Sequence, residues 1–67
     1  MKVRDVEERV AKIAAAAKEE GSCTPHVLED SLYLDVLKAI AEGAADVRKL
    51  AAAAIKASEL NFERWYE

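Results

Sequence analysis

This 67-residue chain predicts an all-α fold, a three-helix bundle whose aromatic C-terminal tail folds back onto it. Apolar residues recur at three- and four-residue steps in three separate segments, the period of a helix with one buried face. Gly21 and Gly43 fall between those segments, where helices stop. No alternating β-branched run and no Asn-Gly or Asp-Gly pair is present, so nothing in the chain signals a strand or a hairpin. The length points to a single helical domain over residues 1–67.

The first helix is expected over about residues 3–20, with Val3, Val6, Val10, Ile13 and Ala17 in one stripe and Gly21 as its stop. "SCTP" then reads as a start signal. Thr24 has a hydroxyl suited to capping, and Pro25 at the first helical position loses no hydrogen bond because its missing N–H would be unpaired there. The second helix should run over about 25–42 and end at Gly43. Its expected inner half holds Leu28, Leu32, Tyr33, Val36, Leu37 and Ile40. The third is expected over about 46–59, capped by Asp46, with Val47, Leu50, Ala51, Ala54 and Ile55 on one face. After it, "LNFERWYE" places Leu60, Phe62, Trp65 and Tyr66 close together, and a free tail would leave those surfaces in water.

"VAKIAAAA" at 10–17 and "VRKLAAAA" at 47–54 share a pattern. Alanine is the strongest helix former, which explains such runs more simply than duplication. The packing consequence is the same in either case. Short loops make helices one and three parallel, each able to press a strip of small residues against a bulkier partner.

Size and charge narrow the function classes. A chain this short buries only roughly 60% of its unfolded surface, so close helix packing or self-association is expected. The lone Cys23 excludes an internal disulfide and reads as an ordinary loop thiol, and no Cys/His series marks a structural zinc. The net charge of −3 is uneven: residues 23–46 carry Lys38 against Glu29, Asp30, Asp35, Glu42 and Asp46. Arg48, Lys49 and Lys56 are too few for the basic stripe that phosphate backbones require, so no nucleic acid is expected. A basic protein partner suits the acidic middle better. No apolar run approaches the roughly 20 residues of a membrane span, and "MKVRDVEERV" is charged throughout, which points to no membrane and a cytoplasmic setting.

The stretch "PHVLEDSLY" at 25–33 carries the most chemistry. Glu29 falls in the middle of the apolar half of helix two, and His26 and Asp30 flank it. Three readings compete. One is a metal site, since imidazole and two carboxylates at helical spacing hold zinc, iron or manganese; helix one offers no further histidine, so His26, Glu29 and Asp30 would need a dimer to complete the ligand set. Acid–base catalysis by His26 and a carboxylate has no nucleophile partner and little volume for a substrate. The third reading is structural: Glu29 and Asp30 face the positive end of the helix dipole and form an ion pair with Arg64 of the tail. It explains both an acidic pair on an inner face and an arginine among aromatics.

His26, Glu29, Asp30, Leu32, Tyr33, Val36, Leu37, Ala39, Ile40, Ala41 and Gly43, with the Phe62, Arg64 and Trp65 of the tail, give a pattern that resembles small helical proteins of actinobacteria and their phages. The resemblance covers about residues 26–66. It implies a natural helical protein and, since that group has no assigned activity, no catalytic, cofactor or binding residue.

Val27, Leu34 and Ala41 fall together on the side of helix two away from the main stripe, a candidate interface. Trp65 and Tyr66 are candidate anchors for a partner, although packing against the bundle is the first expectation for the Trp. The expected function is therefore non-enzymatic and cofactor-free: protein–protein interaction, with homodimer formation. The alternative is a metal-binding helical dimer.

Overall fold

The computed structural model describes residues 1–18 and 24–60 of the chain. Gly21, Cys23 and the tail from Asn61 onward, including Phe62, Arg64, Trp65 and Tyr66, lie outside the described residues. Within them the protein is all-α: α1 (Val3–Ala16), α2 (Thr24–Ala41), α3 (Val47–Ile55) and a short 3₁₀ turn (Lys56–Glu59).

Helix α1 starts where the sequence suits it. Lys2 is the N-cap in extended conformation, and its backbone N–H donates to the Asp5 carboxylate at 2.8 Å. That carboxylate also sits in the first turn, where it faces the positive end of the helix dipole. The helix ends at Ala16, earlier than the expected residue 20, because the chain tightens there: the Lys18 N–H turns back to the Ala15 carbonyl at 3.3 Å.

Helix α2 is described from Thr24 onward, with Pro25 in its first turn. Proline is accommodated there, since the first four N–H groups of a helix have no intrahelical acceptor. Gly43 ends α2 as expected. It adopts φ +91°, its N–H bonds the Ile40 carbonyl at 3.1 Å, and the Ala44 N–H bonds the Ala39 carbonyl at 3.0 Å. This paired 5→2 and 6→1 closure satisfies two carbonyls that the helix end would otherwise leave open.

Asp46 occupies the N-cap position of α3, but its side chain makes no capping bond. Its backbone is left-handed, φ 55° and ψ 42°, a conformation Asp tolerates better than most residues. That geometry directs the chain out of the loop and takes the carboxylate away from the helix N–H groups. The third helix was expected to run unbroken to 59; its last turn is 3₁₀, with the Ser58 hydroxyl donating to the Ile55 carbonyl at 2.6 Å.

Arg9 lies against Asp35, and Arg9 and Lys12 share a shallow depression with Leu28, so α1 and α2 run antiparallel. Met1, Lys2 and Val3 share another with Ala45, Asp46 and Lys49, which puts the starts of α1 and α3 at one end. The two alanine-rich helices are therefore parallel, as expected. Helix α1 contacts α2 and α3 more extensively than these contact each other. The thinnest dimension of the molecule, 14 Å, is that of two helix layers about 9 Å apart. Thus α1 lies over one face of an α2–α3 pair.

The core is Val6, Ile13, Leu32, Val36, Leu50, Ala53, Ala54 and Ala57, with Val3, Val10, Leu28, Tyr33 and Ile40 partly buried around it. Ile13 and Leu50, equivalent positions of the two repeated segments, are both fully buried. Two expectations on the core are corrected. Leu37 is exposed, and so are Val47 and Ile55, while Ala53 and Ala57 take their place inside. On α3 the buried row is Leu50, Ala53 and Ala57, and Ile55 instead lies at the rim of the groove between α2 and α3.

Candidate functional site

Two features of the described residues have chemistry to offer: the polar cluster at the start of α2 and the outer face of the α2–α3 pair. In the cluster, His26, Glu29 and Asp30 present one donor atom each, all within 4.8 Å of one another. This follows from the helix itself, since positions i, i+3 and i+4 are neighbours on its surface. Glu29 is 3% exposed and His26 7%. Asp30 is exposed, with its Oδ2 3.4 Å from His26 Nε2. The Tyr33 hydroxyl donates to Glu29 Oε2 at 3.2 Å, one turn further along.

The arrangement offers a cation three donors of suitable type from one helix, one short of a tetrahedral set. It also lies at the helix end whose partial charge is positive, which favours carboxylates and opposes a cation. A buried carboxylate requires hydrogen-bonding or charged partners, and the Tyr33 hydroxyl is one. The expected partner in the tail, Arg64, lies outside the described residues.

On the other side of α2, the candidate interface residues are where the wheel placed them. Val27 is 55% exposed and Leu34 52%, with Ala41 also exposed beside them. The structure adds Leu37 at 64% and Ile55 of α3 at 58%. These two border an apolar groove of about 230 Å³ floored by Tyr33, Val36 and Ile40 of α2 and by Ala51 and Ala54 of α3. The apolar periodicity of the sequence predicts both Leu37 and Ile55 inside. For Leu37 the available signal was its place at the very edge of the apolar half of α2, where a neighbouring layer need not reach.

The Arg9–Asp35 ion pair, at 2.7 Å, also went unforeseen. No periodicity announces a pair that spans two helices. Arg48, Lys49 and Lys56 are all exposed on α3 and the 3₁₀ turn, and Arg48 is about 100° around the helix from Lys49. No helix among the described residues is long and apolar enough to cross a membrane.

No protein-family model, curated protein or solved structure matches the chain.

Proposed function

We propose that this protein acts by binding protein surfaces through the outer face of α2 and α3, its own copy included, without catalysing a reaction. One observation carries the reading: Val27, Leu34, Leu37 and Ile55, four large apolar side chains, are each more than half exposed, three along α2 and Ile55 across the apolar groove from Leu37. Scattered single apolar residues are ordinary on a protein surface, whereas a contiguous set beside an apolar groove is the mark of a contact surface. A bundle of this length also gains stability from any partner that binds the folded form alone. The resemblance to helical actinobacterial and phage proteins adds no activity to this reading, and the single cysteine fits a reducing cytoplasm. Sedimentation at tens of micromolar protein tests self-association: a dimer mass is expected, and Leu37→Asp should shift it towards monomer. A strictly monomeric parent that also captures no partner from its host would reject the proposal.

A second reading, metal binding, is supported by the 4.8 Å grouping of His26, Glu29 and Asp30 donors. It forecasts that zinc or manganese raises the melting temperature, that a chelator reverses this, and that His26→Ala abolishes it. An unchanged melting temperature across these additions rejects it.

A further inference from the structure

We propose that two copies of this chain pair through α2 in antiparallel orientation, about a two-fold axis passing at Leu34, with Asp30 of each copy meeting Lys38 of the other. The inference rests on the self-association reading above and specifies its geometry. Val27, Leu34 and Ala41 repeat at intervals of seven, and all three are exposed, the spacing of a seam between two helices. Asp30 and Lys38 are both exposed and border this seam, one helical turn before Leu34 and one turn after it.

That symmetry decides the orientation. A two-fold at Leu34 with the helices antiparallel brings each residue level with the one equally far beyond the axis. Val27 then faces Ala41 of the other copy, and Asp30 faces Lys38. Parallel pairing at the same place would set Asp30 against Asp30 and Lys38 against Lys38, repulsion at both ends. Only the antiparallel form turns the two rim charges into two equivalent attractions, and it satisfies the isologous contact that a closed dimer requires.

Size is consistent with a second copy as occupant. From Val27 to Ala41 the seam runs about 21 Å along the helix. The groove between Leu37 and Ile55 adjoins it and adds area on both copies. A standard interface takes about 800 Å² from each partner, about a sixth of the 4913 Å² surface of this chain. Asp30 keeps a second carboxylate oxygen for Lys38 while Oδ2 faces His26.

The test is a charge exchange read by sedimentation equilibrium, with helicity by circular dichroism confirming that each variant is folded. Asp30→Lys and Lys38→Asp should each weaken dimer formation roughly tenfold, and the double variant should recover the parent's association. Leu34→Asp should abolish the dimer. In a Cys23→Ser background, Leu34→Cys should give a dimer-sized disulfide product on mild oxidation, as expected of a residue on the axis. Single charge reversals without effect, or a double variant as weak as either single one, overturn the antiparallel pairing but leave self-association standing. A dimer that survives Leu34→Asp and is lost on Ile55→Asp moves the interface to α3 and overturns the inference. A monomeric parent overturns both the pairing and self-association.

Discussion

At the scale of single residues, Glu29 places a carboxylate at 3% exposure one turn into a helix. Burying an ionised group is costly unless it is paired, and the Tyr33 hydroxyl at 3.2 Å supplies one hydrogen bond. Tyr33→Phe should therefore destabilise the protein by about 1–2 kcal/mol, measured by urea unfolding, with the ring's packing retained. The proposed ion pair with Arg64 makes a separate forecast. Arg64→Ala combined with Glu29→Gln or Asp30→Asn should show a coupling of at least about 0.5 kcal/mol in one of the two pairs. Additive double mutants at both positions would rule out that pair. Gly43 is a second point of leverage: at φ +91° a Cβ meets no atom within 4 Å, so the obstacle to a side chain is the backbone conformation alone. Gly43→Ala should cost about 1–2 kcal/mol and loosen the end of α2.

Among the elements, α3 puts small residues into the core. Ala53, Ala54 and Ala57 are buried on α3 and its 3₁₀ turn, while Ala52 is exposed. Enlarging a buried alanine forces two backbones apart, so Ala53→Leu should destabilise by about 1–3 kcal/mol. Ala52→Leu should stay within about 0.5 kcal/mol of the parent. Equal melting temperatures for the two variants would show that α3 does not rest on its alanines. Helix α1 adds Val6 and Ile13 to the shared core, and the Arg9–Asp35 pair ties it to α2 at the rim. Both partners of that pair are partly exposed, which confines its contribution to about 0.2–1 kcal/mol and makes it sensitive to salt.

For the whole molecule, one helix layer over another leaves α2 and α3 with a face that no other described residue covers. If a second copy covers that face, folding and association are linked, and the melting temperature depends on protein concentration. Thermal unfolding monitored at 5 and 100 micromolar protein should give a higher midpoint in the concentrated sample, and Leu34→Asp should remove the difference. Identical midpoints for the parent would separate folding from assembly and count against the dimer.

Helix number, order and approximate span were legible in the sequence because each depends on local signals: the apolar period, Pro25, Gly43 and the absence of strand patterns. The grouping of His26, Glu29 and Asp30 was legible for the same reason, since i, i+3 and i+4 are neighbours on any helix. So was the exposed row of Val27, Leu34 and Ala41. What only the tertiary structure decided is which side of an apolar helix meets its neighbours. Leu37 and Ile55 are as hydrophobic as Leu32 and Leu50, yet the first two are exposed and the last two buried. Burial is set by where another helix lies and how closely it approaches. On α3 the small Ala53 and Ala57 lie inside, and the larger Ile55 lies outside. The Arg9–Asp35 pair was hidden for a related reason: it joins residues far apart in the chain, and no local pattern encodes the rotation of one helix about another.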